Sequence, residues 1–145
     1  MQERIVALDI GLKRVGIAVS DPFNSYALPD NAYICTQNLE RDLQNIVQIV
    51  KEKLATVVVC GLPVNADGTE SVQTVRTKKF IERLKEFIDI PIVTVDERYT
   101  TFVARESLQV NNSKKTRKSG RVDSVAACYI LEEYLNQCKK QKRDK

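Results

Sequence analysis

The chain has 145 residues, of which 43% are hydrophobic and 29% are charged, and its formal net charge is +4. This length and composition predict one globular domain with a hydrophobic core. The absence of histidine excludes histidine acid–base catalysis, and four widely spaced cysteines without a C-x-x-C pair argue against a structural zinc site and a disulfide framework. No apolar run is as long as a membrane span and no signal-peptide pattern opens the chain, so we predict a cytoplasmic protein without a membrane partner.

The positive charge is concentrated in the last quarter of the chain. Residues 1–110 carry 13 Lys and Arg against 15 Asp and Glu, whereas residues 111–145 carry 10 against 4. This asymmetry indicates an anionic partner that is met by the C-terminal quarter.

The N-terminal stretch predicts a β-hairpin. Residues 5–8 are a continuous apolar run, typical of a strand that is covered on both faces, and Asp9 ends it. Residues 11–14 form a short connection to a second apolar strand at residues 15–19. A carboxylate at the end of a buried strand is costly to keep ionised without a partner, so Asp9 either caps its own turn or belongs to a site. Both interpretations stay open on this stretch alone.

The later elements alternate between helices and strands, and the predicted order is βββαβαβα. This order predicts an α/β fold with a mixed five-stranded sheet and helices on both faces. We predict a single domain over residues 1–138, followed by a basic tail at residues 139–145. The predicted later elements are an edge strand at 26–36, a helix capped by Asn38, a strand at 56–60, a helix from 69–71 to before Pro91, a strand at 92–95, a short helix at 102–110, a basic loop at 111–121 and a last helix at 122–137.

Acidic residues stand at the ends of three predicted elements. Asp9 ends the first strand, Asp96 and Glu97 end the last strand, and Asp123 opens the final helix. Ligand sites in such sheets lie beyond the carboxyl ends of the strands, so these acids can converge on divalent cations bound through oxygen. Without histidine, Mg²⁺ or Mn²⁺ suits the site better than Zn²⁺. Alone, each acid is also explained by a helix cap or a surface ion pair, but together with the basic loop they favour a metal site.

Four motifs follow one another along the chain: DIGLKRVGIA at 9–18, GLP at 61–63 with DG at 67–68, DER at 96–98 with TT at 100–101, and VDSVAA at 122–127. Together they resemble the YqgF family. These are RNase H-like proteins described as Holliday-junction resolvases and as nucleases that mature the small-subunit ribosomal RNA precursor. The resemblance implies an RNase H-like nuclease domain with Asp9, Glu97 and Asp123 as catalytic metal ligands, and Asp96 is a secondary candidate. Related resolvases usually have a glutamate near the end of the middle strand, where this chain has Gly61, and Glu97 looks like its substitute.

These observations predict a metal-dependent nuclease for structured nucleic acid. Two cations about 4 Å apart can activate a water molecule and stabilise the leaving oxygen of a phosphodiester. We expect structured RNA as the first substrate class, above all the 16S rRNA precursor within ribosomal precursor particles, and branched DNA as the second. The alternatives are a non-catalytic nucleic-acid-binding module and a phosphotransferase of the actin and sugar-kinase type, which normally needs two such domains. The residues expected to meet phosphates, each of which can also be a solvated turn or linker residue, are Lys13, Arg14, Arg98, Lys114, Lys115, Arg117, Lys118 and Arg121.

Overall fold

The fold is organised around the apolar strand that begins at Ile5. The computed structural model describes residues 4–97 and 124–143. Within these residues, the elements in chain order are the strands β1 (Ile5–Ile10), β2 (Arg14–Ser20), β3 (Ala27–Pro29) and β4 (Tyr33–Ile34), the helix α1 (Leu39–Glu52), the strand β5 (Val57–Leu62), the helix α2 (Val72–Lys85), the strand β6 (Ile92–Asp96) and the helix α3 (Val125–Arg143).

The strands form one mixed sheet with the order β3-β2-β1-β5-β6, and β4 also pairs with β2. β1 is antiparallel to β2 and parallel to β5, and β5 is parallel to β6. Asp9 lies opposite Gly16 in the first pair, and Gly61 lies opposite Val95 in the last. The carboxyl ends of β1, β5 and β6 therefore meet at one edge of the sheet.

Helices cover both faces of the sheet, as the sequence predicted. Alternate residues of β1 such as Val6 and Leu8 pack in one core cluster with buried residues of α1 and α2. Ile5 and Ala7 belong to a second cluster, which contains buried residues of α3. Because side chains alternate along a strand, Asp9 continues the row of Ile5 and Ala7 on the α3 face.

The predicted β-hairpin is confirmed, and its turn requires glycine. The Gly11 backbone N–H donates to the Arg14 carbonyl oxygen at 2.9 Å. A Cβ atom at residue 11 would lie 2.7 Å from that same oxygen, which is closer than real Cβ atoms approach. The turn between β1 and β2 is therefore tight, and its side chains project into solvent.

The prediction of one strand over residues 26–36 is wrong. That segment forms two short strands, β3 and β4, which both pair antiparallel with β2, so the sheet has six strands among the described residues instead of five. Pro29 has no N–H to donate, and it ends β3 opposite Ala18. The next backbone N–H, that of Asp30, still donates to the Ile17 carbonyl oxygen, but the chain then leaves the sheet until Tyr33.

The helix caps follow the sequence closely. The Asn38 side chain accepts a hydrogen bond from the Arg41 backbone N–H, as predicted for the N-cap of α1. Ser71 caps α2 in a reciprocal pair of hydrogen bonds with Thr74. α3 continues through Arg143, beyond the predicted end at residue 137, so residues 139–143 of the predicted tail are helical.

Two predicted elements, the helix at 102–110 and the basic loop at 111–121, lie outside the described residues. The helices at residues 39–52, 72–85 and 125–143 are too short or too polar to cross a membrane.

Candidate active site

Two of the predicted acids meet on the α3 face of the sheet. Asp9 lies near the end of β1, and Glu97 directly follows β6, with β5 between these two strands. Their carboxyl groups are hydrogen-bonded to each other, although the residues are far apart in sequence. Such a bond needs one proton between the two groups, and protonated Glu97 is the donor to the Asp9 carboxylate.

Gly61 on the intervening strand makes room for this contact. A Cβ atom at residue 61 would lie 2.6 Å from Oε1 of Glu97 and 2.4 Å from Cδ1 of Ile130 on α3. The Glu97 carboxyl group therefore occupies the space above the middle strand that a side chain at residue 61 would need. The absence of a side chain at residue 61 and the placement of Glu97 are therefore two parts of one arrangement.

Burial raises the pKa of both carboxyl groups, and the negative charge of Asp9 raises the pKa of Glu97 further. Burial raises the pKa of Asp9, and the hydrogen bond from Glu97 partly offsets that effect. Burial, followed by the negative charge and hydrogen bonding of Asp9 and the charge of Asp96, raises the pKa of Glu97 to about 8. Near neutral pH, the pair without a cation therefore carries about one negative charge and one proton.

Asp96 is placed differently from its neighbour. It lies opposite Leu62 in the β5–β6 register, and Val95 before it packs in the α3 core cluster. Alternation along the strand directs the Asp96 side chain to the other face of the sheet, away from Asp9. Asp96 therefore acts on Glu97 through its charge.

Two of the predicted phosphate-binding cations lie beside Asp9. A cavity of about 440 Å³ is lined by Asp9, by Lys13 of the turn, by Arg14 at the start of β2, and by Gly16 opposite Asp9. Both cationic residues are exposed. The structure thus brings a carboxylate, two cations and an open space together at the carboxyl end of β1.

Ser124, which was not among the predicted site residues, fixes the start of α3 to the same region. The Ser124 hydroxyl oxygen is fully buried and accepts a hydrogen bond from the Ile17 backbone N–H at 3.0 Å. Ile17 follows Gly16, the residue that pairs with Asp9. Ser124 lies in the VDSVAA motif, but the motif alone does not indicate that the Ser124 hydroxyl accepts a hydrogen bond from a backbone N–H of β2.

The remaining predicted site residues lie outside the described residues, and their convergence with the pair stays a prediction. Within residues 4–97 and 124–143, no group of three or more Asp, Glu, Cys or His side chains is close enough to hold a metal ion. The Asp9–Glu97 pair is therefore the part of the predicted metal site that lies within these residues. The residues outside are Asp123, Arg98, Lys114, Lys115, Arg117, Lys118 and Arg121.

The strand order of the sheet is that of an RNase H-like domain. The RuvC protein of T. thermophilus, solved in complex with a Holliday junction substrate, superimposes with a TM-score of 0.61 over 94% of this chain and 96% of that chain at 10% identity. The yeast mitochondrial Holliday junction resolvase Ydc2 gives a TM-score of 0.52 over 96% of this chain and 84% of its own, at 11% identity. Identities this low show a shared fold.

The chain belongs to the RuvX (YqgF) family. The family model described as "RuvX: Holliday junction resolvase" matches residues 3–137. A protein of Sulfurihydrogenibium sp. (strain YO3AOP1) is 42% identical over 135 residues, which cover 92% of this chain and 90% of that protein. A protein of Clostridium acetobutylicum is 39% identical over 134 residues, which cover 92% and 98%. Both relatives carry the name "Putative pre-16S rRNA nuclease".

Proposed function

We propose that this protein is a metal-dependent nuclease that hydrolyses phosphodiester bonds in structured nucleic acid, with 5′ processing of the 16S rRNA precursor in ribosome biogenesis as its role. The observation that carries the proposal is the Asp9–Glu97 pair at the carboxyl edge of the sheet, where Asp9 lines a cavity together with Lys13 and Arg14. The names of the relatives support a nuclease, and the named substrate supports RNA.

The donor set suits a hard divalent cation. Asp9 and Glu97 offer only carboxylate oxygens, which are the ligands that Mg²⁺ and Mn²⁺ prefer. The two groups share a proton because two negative charges repel there, and a cation can take the place of that proton. In this proposal Asp123 supplies a third carboxylate. When bound, the cations would activate water and stabilise the leaving oxygen.

The chain's own residues have separate tasks in this proposal. Asp9 and Glu97 hold the cations, and Gly61 and Ile130 keep the Glu97 carboxyl group in place above β5. Lys13 and Arg14 bind phosphates on either side of the scissile bond and thereby fix the strand against Asp9. Proton transfer by histidine is not needed.

The second candidate is a Holliday-junction resolvase acting in DNA recombination or repair. It is favoured by the description of the matching family model and by the shared fold with RuvC. The same acid pair would serve either substrate, because both reactions cut a phosphodiester bond. A non-catalytic binding module is the third candidate, and it would bind without cutting.

Cleavage of a substrate panel tests these candidates. Labelled RNA that spans the 5′ end of the 16S precursor, an unstructured RNA of the same length and a four-way DNA junction are each incubated with the protein in Mg²⁺, Mn²⁺ or EDTA. The proposal predicts cleavage of the precursor RNA that needs the metal and is lost in Asp9→Asn and Glu97→Gln. Asp89→Asn is the matched control, since Asp89 is an exposed acid away from the site.

The outcomes separate the candidates. Preferred cutting of the four-way junction would replace the first candidate by the resolvase. Tight binding of any substrate without cutting in either metal would favour the third candidate, the non-catalytic binding module. Metal-independent cutting, or cutting that survives in folded Asp9→Asn, would refute the proposed site.

A further inference from the structure

A second and larger groove adjoins the candidate active site on the other side of the β1–β2 turn. Its volume is about 1230 Å³, and its walls are the turn, the segment from β4 to α1, and α2. Gly11, Leu12 and Lys13 line both this groove and the cavity that contains Asp9. A polymer that passes over Lys13 therefore has a continuous path from one space into the other.

The groove presents apolar side chains to solvent. Leu12 is 67% exposed, Ile34 is 61% exposed and Val75 is 41% exposed, and all three line the groove. Contiguous exposed apolar surface on a small domain marks a binding surface more often than scattered single residues do. The volume also exceeds the roughly 300–1,000 Å³ that is typical of small-molecule pockets, so an extended ligand suits it better.

The groove also carries a net positive charge, because five basic residues line it against three acidic ones, and the acids already have partners. Glu70 pairs with Lys78, and Glu82 pairs with Lys85. Buried Asp42 accepts hydrogen bonds from the Tyr33 hydroxyl and from Thr36.

Three cations of the groove remain available. Lys13, Arg76 and Lys79 line it, are exposed, and form no ion pair with another residue in the part of the chain that the structure describes. Arg76 and Lys79 are three residues apart on α2 and so share a face of the helix. Together with Lys13 they form a set of positive charges above an apolar floor.

The walls of the groove are joined by hydrogen bonds. The Cys35 backbone N–H donates to the Lys13 carbonyl oxygen at 2.9 Å, which ties the turn to the end of β4. The Gln73 side-chain amide donates to the Ile10 carbonyl oxygen at 3.1 Å, which ties α2 to the end of β1. Because the walls are fixed before a ligand arrives, binding there has a small ordering cost.

We propose that this groove binds an unpaired strand of the nucleic-acid substrate where it continues beyond the active site. Phosphates lie on Lys13, Arg76 and Lys79, and sugars and bases cover the apolar floor. The inference rests on the proposed nuclease function for the identity of the ligand. The charge of the groove and its continuity with the Asp9 cavity favour a nucleic acid over a protein partner.

Binding measured without metal tests the groove separately from cleavage. The probes are a fluorescein-labelled blunt RNA hairpin and the same hairpin with an unpaired extension of about ten nucleotides at its 5′ or 3′ end. Fluorescence anisotropy in EDTA gives the dissociation constant of each probe. The test variant is Arg76→Gln with Lys79→Gln. The matched control is Arg41→Gln with Lys51→Gln, which removes the same two charges from exposed positions of α1 outside the groove.

We expect one of the extensions to tighten binding to the wild type and to the control but not to the test variant. Loss of two phosphate contacts to a single strand should lower the salt slope by about 1.4, so the wild type should lose about sevenfold more affinity than the test variant between 50 and 200 mM salt. Equal salt slopes and equal gains in affinity for the extended hairpin in the test and control variants would overturn the proposal. The groove would then fit a protein partner instead. If the extension tightens binding to the wild type but the wild type cleaves no substrate, the groove proposal stands and the proposed nuclease function is refuted.

Discussion

Removing the charge of Glu97 should stabilise the metal-free protein at alkaline pH. In Glu97→Gln the side chain keeps its shape, and its amide can donate to the Asp9 carboxylate as protonated Glu97 does. The pKa of Glu97 is about 8 in the folded protein, against an ordinary value of 4.5. Between these two values the folded state holds a proton that the unfolded state has lost, so the stability of the wild type falls as the pH rises from 4.5 to 8.

The size of this effect follows from the same two pKa values. Each tenfold change in proton affinity corresponds to about 1.4 kcal/mol, so the stability difference between Glu97→Gln and the wild type has an upper limit of about 5 kcal/mol. Glu97 is only partly buried, and water screens part of the repulsion, so we expect ~2 kcal/mol. Relative to the wild type, Glu97→Gln should therefore gain little stability near pH 5 and ~2 kcal/mol near pH 9.

Urea unfolding in EDTA between about pH 5 and pH 9 measures the difference, and a non-ionic denaturant avoids screening the charges. Glu52→Gln, at the exposed end of α1, is the control and should follow the wild type at every pH. If the stabilities of the wild type and Glu97→Gln run parallel across the whole range, the two carboxyl groups do not share a proton and the reasoning fails.

Three further changes test other parts of the account. Gly61→Ala should destabilise the protein by ~1–3 kcal/mol, measured by urea unfolding, because the new Cβ atom would clash with Ile130 and Glu97. Adding Ile130→Val should recover part of that loss. Full stability in Gly61→Ala alone would show that the space above residue 61 is not occupied. Asp9→Asn should raise the melting temperature of the metal-free protein, because it relieves carboxylate repulsion, whereas a large decrease would assign Asp9 a structural role. In the basic segment, Ser should replace Lys114, Lys115, Arg117 and Lys118 together. This change should leave the melting temperature nearly unchanged and should lower the salt slope of RNA binding by roughly 0.7 to 0.9 for each lost phosphate contact. An unchanged salt slope would place the binding surface elsewhere.

The elements that depend on local sequence were predictable. The apolar run before Asp9 and the short turn after it define the hairpin, and Asn38 defines the start of α1 through its own side-chain hydrogen bond. The edge strand was harder, because Pro29 ends the ladder at one residue while the chain rejoins β2 at Tyr33. The composition of residues 26–36 indicates only a weak strand, but the position at which the hydrogen-bond ladder breaks depends on how this segment pairs with β2.

The candidate site was predictable in its residue types but not in its contacts. The end of a strand and the motif around Glu97 indicate acids at one edge of the sheet. The pairing of Glu97 with Asp9 depends on the strand order, which places β5 and Gly61 between them. Arg76 and Lys79 carry no motif at all, and only the packing of α2 beside the β1–β2 turn brings them into the same groove as Lys13.

Calorimetric titration with Mn²⁺ tests the central claim most directly, since it asks whether the Asp9–Glu97 pair holds a cation. We expect the wild type to bind Mn²⁺ near pH 7 and to release about one proton per protein, measured from the dependence of the heat on the buffer. Asp9→Asn and Glu97→Gln should bind the ion much more weakly, and Asp89→Asn should bind it as the wild type does. Wild-type affinity in both site variants, or binding without proton release, would contradict the account.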